Sequence, residues 1–481
     1  MSKKILFSRL QADAVPVSRV RATRYDSALT SAENAKHWAL VDNRSADESL
    51  SPSVRRTLRM RSRYEVENNS YAKGMVLTVV GDCVGTGPRV QLSSAIEDTV
   101  LAHDLEQAFS QWADEIGLVT LLRSLRYAKA VDGEAFGLIA ANPKLAGPAK
   151  VTVTGIDADR VRTFDVVNDA DGLMFDRYGN VISYRVYTDQ NISSDYTDVP
   201  AGNVIHWFRQ DRPEQHRGAP ELTPALPLFA QLRRYTLAVL GAAETAADFA
   251  AVLYTDSPIG GEAVGAEPFD VISLEKRMAT TLPDGWKLGQ LKAEQPVTNY
   301  PDFKREILGE IGRVLQVPVN IITGDSSKHN YASGRLDHQT YHRAIRIEQK
   351  SCEYAVLRPV FAAWFKEYSL AEKLQIAMPS PDWYWDGFEH VDPSKEASAI
   401  KTRLASLTTS LASEYAKQGK DWEEELRQIA RERSLMKELN IDFNDGFNET
   451  VSKAETVSYS ESVSVDEPTK SVDDEEIDEG R

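Results

Sequence analysis

Two helical segments held apart by an insertion of different character set the architecture open to this chain. Thr223-Pro224 is a cap followed by a proline at a first helical position, so a helix is predicted to open there and run through about Ala251, spanning 222–251. Its first half carries Leu228, Leu232 and Tyr235. Its second half is dominated by Ala242, Ala243, Ala246, Ala247, Ala250 and Ala251, small side chains that let another backbone approach closely. A second helix is predicted over 302–316, with Phe303, Ile307, Ile311 and Val314 on one stripe, roughly 20 Å long at about 1.5 Å per residue. Between them, 252–301 contains Gly, Pro and short apolar runs such as Trp286 to Leu291, the pattern of a compact β-containing insertion.

The remaining segments alternate between helix and strand, so the fold class predicted is α+β, mainly helical. Residues 1–51 lack sustained periodicity and read as an arm that wraps over a neighbour. From Pro52 the pattern turns helical, and Asn68 or Asn69 can cap a helix bearing Ala72, Val76, Val79, Val80 and Cys83 on one side. Helices over 97–115 and 118–131 precede β-rich sequence from Glu134 to about Arg209, where Tyr178-Gly179-Asn180 marks a hairpin turn. After Val317-Pro318 come a polar loop, 324–333, and a long helical stretch to about Tyr368, in which Pro359 predicts a kink or break. The aromatic link Pro379 to Phe388 leads to a helix from Asp392-Pro393 to near Gly419 and, behind the cap Asp421, a last helix to about Leu439. Residues 449–481 carry eleven acids against three bases and almost no large apolar residue, which predicts a disordered acidic tail.

Charge narrows the function classes. The formal net charge of −16 means that the chain as a whole repels nucleic acid, so any contact with it is local or transient. Residues 1–64 go the other way, with thirteen Lys and Arg against six Asp and Glu. The two cysteines, Cys83 and Cys352, lie far apart in helical contexts, which argues against a disulfide framework and for a reducing compartment. No apolar run approaches the ~20 residues needed to span a bilayer, and the first ten residues do not read as a secretory signal. Manufacture in a cytoplasm, with no membrane partner, is the expectation.

No motif argues for catalysis, and no catalytic residue, metal or cofactor is predicted. The glycines of GDCVGTGP (81–88) could let amides converge on a phosphate, but no Lys-Ser, Lys-Thr or dinucleotide spacing follows, and a tight turn fits better. His338 and His342 share a helical face without the intervening Glu or third ligand that a metal site needs. Trp383, Tyr384, Trp385 and Phe388 could stack on bases, though with few basic residues among them they fit a packed linker better. Arg55, Arg56, Arg59, Arg61 and Arg63 either touch phosphate or pair with acids of a neighbouring subunit.

Several stretches together resemble the lambda-type family of tailed-phage portal proteins: LRMRSRYEVENNSYAKGMVLTVVGDCVGTG (58–87), RPEQHRGAPELTPAL (212–226), VPVNIITGDSSKHNYASGR (317–335), and VDPSKEASA with GKDWEEELRQIARE (391–399, 419–432). They occur in that family's order and are spread over 58–440. The resemblance implies a ring subunit, generally twelvefold, at one vertex of a capsid in the virion, made in the bacterial host cytoplasm. Double-stranded DNA would pass through the ring. Other implied partners are the terminase large subunit, then a head-tail adaptor, and the major capsid and scaffold proteins.

By position, the resemblance makes 52–221 the wing, 222–251 and 302–316 the stem helices, and 252–301 the clip. Residues 317–391 hold a channel-facing loop, a long helix and a return to the wing, and 392–448 form a helical crown. Lys328, His329, Asn330 and Tyr331 are the candidate DNA-channel residues. Ala243, Ala246, Ala247, Ala250, Ile307 and Ile311 are the candidates for stem packing. The competing readings are another structural connector or minor capsid protein, and a packaging ATPase or nuclease. The ATPase requires a Walker-type loop that is not found here.

Overall fold

The structure is a computed structural model that describes residues 36, 43–92, 95–163, 171–189, 195–248, 252–255, 286–289, 299–327, 330–388 and 393–441. The chain divides into two units, Met1–Glu389 and His390–Arg481.

The first unit begins, among described elements, with the short helix α1 (Ala46–Ser49), then α2 (Pro52–Asn68) and α3 (Ser70–Val84). Asn69 separates α2 from α3 because its side chain accepts from the backbone N–H groups of Tyr71 and Ala72, capping α3. After β1 (Arg89–Gln91), Asp98 caps α4 (Thr99–Ile116) in the same way. Gly117, left-handed at φ 68°, turns the chain into α5 (Leu118–Asp132). Six strands follow: β2 (Glu134–Ala141), β3 (Val151–Ile156), β4 (Leu173–Phe175), β5 (Val181–Tyr187), β6 (Tyr196–Pro200) and β7 (Val204–Phe208). They form two antiparallel sheets, β3-β2-β7 and β4-β5-β6, and the expected turn at Tyr178–Asn180 joins β4 to β5.

A 3-10 turn at Thr223–Ala225 opens α6 (Leu226–Asp248) with Pro224 in its first turn, but Thr223 is not the cap expected of it, because its hydroxyl donates back to the Pro220 carbonyl at 2.7 Å. Strands β8 (Val252–Thr255) and β9 (Trp286–Gly289) pair antiparallel, Val252 opposite Gly289, which gives the described part of the insertion its β character. Helices α7 (Tyr300–Arg313) and α8 (Val319–Thr323) lead to α9 (Tyr331–Cys352) and α10 (Arg358–Ala371). The kink or break expected at Pro359 takes the form of an interruption just before it: residues Glu353–Leu357 form a π-helical turn between α9 and α10. Pro359 has no N–H for the carbonyl four residues back, Ala355, and its ring would press on that carbonyl; the wider turn holding Ala355 relieves both problems. Strand β10 (Asp382–Tyr384) then pairs antiparallel with β1.

Among the described residues, the first unit has three apolar cores. One joins α4, α5, the β2 sheet and α10, with Phe109 amid Trp112, Phe361, Trp364 and Trp383 at ring separations of 5.1–5.7 Å. Trp383 and Trp385 are buried here, so the aromatic link is a packed structural element rather than a base-stacking platform. A second core draws together α3, α6, α7, α8 and α9, and a third lies among the strands around Phe136, Tyr184 and Val204.

The second unit contains α11 (Pro393–Ala405), α12 (Leu411–Lys417) and α13 (Trp422–Glu438). One helix to Gly419 was expected. The chain instead turns between α11 and α12 at Leu407, at φ 55°, after residues whose apolar content is too thin to sustain one face. Asp421 caps α13 as predicted, accepting from the N–H groups of Glu423 and Glu424.

Candidate functional site

Helices α6 and α7 pair directly. Tyr235 packs on Phe303 and Tyr300 at 4.5 and 5.7 Å, and the Thr236 and Tyr300 hydroxyls lie 3.1 Å apart. Ile307 and Ile311 are buried in the same core as Leu226, Phe229 and Leu232. A Cβ on Gly312 would collide with Ile322, so a glycine there lets α8 fold against α7. Of the small-residue candidates, Ala243 is exposed on α6. Ala246 and Ala247 belong to α6 with side chains outside the described residues, and Ala250 lies outside them altogether.

The polar loop ends at α9. Asn330 is its cap: the Ser333 N–H donates to Asn330 Oδ1 at 2.8 Å, and the Asn330 N–H donates to Ser333 Oγ at 3.3 Å. Tyr331 opens the helix. Lys328 and His329 lie outside the described residues. His338 and His342 do share a face, 5.8 Å apart, but His338 sits beside the Asn320 amide at 3.0 Å and His342 stacks on Phe388 at 3.7 Å. Among the described residues, no group of His, Cys, Asp and Glu could hold a metal ion.

The basic run has a different role from either one expected of it. Arg55, Arg59 and Arg63, one turn apart along α2, pair with acids of their own chain: Arg55 with Asp171, Arg59 with Glu134 and Asp159, Arg63 with Asp132, Asp157 and Asp159. Arg56 and Arg61 point outward. At the centre lies Glu134, fully buried, which accepts from Arg59 at 2.8 Å, from Arg217 at 2.6 and 2.8 Å and from the Gly218 N–H at 3.2 Å. Burial alone would raise its pKa. The Arg217 charge, the bonds from His206 and Arg217, and the Arg59 charge together hold it well below the usual carboxylate range. Burial pushes the His206 imidazole below its ordinary value despite Glu134 at 3.2 Å. The network clamps α2 and the segment before α6 onto the sheets.

A second buried cluster ties α5 to the segment before α6 and to α9. Arg126 donates twice to Glu221 at 3.0 Å, and Lys129 bonds Glu348 while sitting 4.9 Å from the Trp207 ring. The glycine run 81–88 holds an anion of the chain itself: the Thr86 hydroxyl donates to Asp386 at 2.7 Å, and the Thr86 N–H bonds the other carboxylate oxygen. Gly85, at φ 55°, has no room for a Cβ beside that carboxylate. The sequence signalled none of these partnerships, because each joins residues tens to hundreds of positions apart. The four-residue rhythm of Arg55, Arg59 and Arg63 was the one legible hint.

Where residues 43–50 are described, the end of the arm rests on its own chain. Asp47 receives the His216 N–H at 3.0 Å and lies 2.7 Å from His216 Nδ1, and Arg212 donates to the Arg44 carbonyl.

Comparison with known proteins supplies the family. The chain is similar to a probable portal protein of Halomonas phage phiHAP-1, 24% identical over 424 residues, covering 80% of this chain and 81% of the relative. Among solved structures it is similar to a chain in the neck of an empty gene transfer agent particle (TM-score 0.48, 13% identity, 77% of this chain and 94% of that one). It is also similar to one in the virion of a native gene transfer agent particle (TM-score 0.46, 13% identity, 79% and 95%). The family model described as phage portal protein, lambda family, matches residues 32–349, a span that contains the buried charge clamp, both paired helices and the insertion between them, and the chain therefore belongs to the lambda family of phage portal proteins.

Proposed function

We propose that the chain is the subunit of a closed ring, a dodecamer, set at one vertex of a phage capsid as the channel through which double-stranded DNA is packaged, retained and ejected. The observation that carries this reading is the family match over 32–349, which includes the helix–insertion–helix layout. In this reading α6 and α7 are the stem, the insertion is the clip, residues 52–221 form the wing and α11 to α13 the crown. The clip is the docking surface for the terminase large subunit and later for the head-tail adaptor. Capsid and scaffold proteins surround the wing.

The physical chemistry agrees with such a role. Duplex DNA that must slide cannot be gripped by many aligned cations, and a chain of net charge −16 that commits Arg55, Arg59 and Arg63 of α2 to internal acids suits that requirement. Lys328, His329, Asn330 and Tyr331 are the proposed channel contacts, with Asn330 fixing where the loop ends by capping α9. Heads assembled without this chain should hold no nuclease-protected DNA, and restoring it should restore protection; protected genomes in its absence overturn the reading. Substituting Lys328 and Tyr331 should change packaged genome length or retention, and normal values for both would remove the loop from the mechanism.

A further inference from the structure

A closed ring of identical subunits needs a heterologous contact, in which two different surfaces of the same chain complement each other. Two helices of the first unit carry surfaces of that kind. Along α9 and into the π-helical turn that follows it, Arg335, Leu336, Gln339, Arg343, Arg346, Ile347, Lys350 and Tyr354 all face outward. At about 100° per residue they occupy one arc of about 120°. Leu336, Ile347 and Tyr354 are 65%, 67% and 57% exposed, unusually high for large apolar groups on one face. Of the three carboxylates in this stretch, Glu348 pairs with Lys129 in the interior, the buried Glu353 takes up the charge of Lys350 at 2.5 Å, and Asp337 lies about 80° beyond the arc, so Arg335, Arg343 and Arg346 carry its positive charge. The result is a cationic face with apolar residues set in it.

Helix α4 has the opposite surface. Its outward stripe is Val100, Asp104, Gln107, Gln111 and Asp114, spaced by three and four residues, with Val100 69% exposed and Glu97 exposed just before the cap. The helix contains no Lys or Arg. The opposite face is spent on the first core through Ala102, Leu105, Phe109 and Trp112, so the acidic stripe is what α4 offers to anything outside the chain.

We infer that the acidic face of α4 on one subunit packs against the cationic, apolar-studded face of α9 on the next. The inference rests on the ring reading and adds which surfaces close the ring. A second copy fits better than duplex DNA, because exposed Leu, Ile and Tyr within the cationic arc call for apolar cover, which a phosphate backbone does not provide. It also fits the glutamines of α4, which can bond to guanidinium groups without adding charge. Complementary faces of this type set register and exclude wrong pairings.

The test uses two variants of the full chain, Asp104→Lys with Asp114→Lys, and Arg343→Glu with Arg346→Glu. All four side chains are exposed, so thermal midpoints close to that of the unmodified chain verify folding. Particle masses are then measured at low and high salt. Each variant alone presents like-charged faces and should need a roughly tenfold or higher concentration to form rings. Mixed one to one, the two variants should assemble again, because each reversed face meets the other variant's reversed face. Rings from either variant alone at the unmodified concentration, or no recovery on mixing, overturn the assignment. Intact rings from the α9 variant with weakened binding to linear duplex DNA would also overturn it, by giving that face to nucleic acid. If the unmodified chain forms no rings at all, it is the ring reading that has failed.

Discussion

Glu134→Ala is the most informative single change in the internal framework. The carboxylate has no exposed surface and neutralises two guanidinium groups, with Arg59 at 2.8 Å and Arg217 at 2.6 Å. Removing one partner of a buried pair strands the other in a low-dielectric interior, at a cost of about 3–5 kcal/mol. In a unit this large, about 2 °C of midpoint follows each kcal/mol, so a fall of roughly 6–10 °C is expected. The control is Asp211→Ala, which removes the same chemistry where Arg209 and Asp211 are 49% and 53% exposed; that pair is worth ~1 kcal/mol or less. Thermal unfolding followed by circular dichroism reads both. Equal small shifts in the two variants would refute the view that the clamp, rather than apolar packing alone, fixes α2 to the sheets.

The same network has a pH signature. His206 has a depressed pKa in the folded chain, so the unfolded chain binds more protons as pH falls below about 6.5, and the associated stability is present above that value and lost below it. His206→Phe should flatten the midpoint between about pH 7 and 6; an unchanged slope contradicts this. Gly85→Ala should cost about 1–3 kcal/mol by strain at a positive-φ residue crowded by Asp386, and Asp386→Ala about 0.5–1.5 kcal/mol, since water can take up the exposed Thr86 N–H, both measured by urea unfolding. Near-neutral results would deny the loop its carboxylate. Burial raises the Cys83 thiol to about 11 and Cys352 well above its usual value, so neither should label in the native protein at pH 8, and both should label once it is unfolded. Prompt native labelling would contradict the packing around α3 and the end of α9.

Local chemistry made much of the fold legible. Asn69, Asp98 and Asp421 each start a helix by accepting backbone N–H groups within three residues, and the Tyr178–Asn180 turn needs only a glycine able to adopt φ 87°. Pro359 signalled an interruption but not its form, which depends on the turn before it, widened to accept the ring. The arginine run misled for a different reason. Its rhythm shows that one face is cationic but not which acids meet it, and Asp132, Asp157 and Asp159 arrive only when the sheets fold back over α2. The same limit applies to α6 and α7, where the burial of Ile307 and Ile311 could be read from periodicity but the role of exposed Ala243 depends on what lies outside the chain.

Electron microscopy of the purified full-length chain tests the central claim most directly. The account predicts annular particles of uniform subunit number, with an open bore that admits a B-form duplex. A chain that stays monomeric at every concentration, or that closes into particles without a bore, would contradict it.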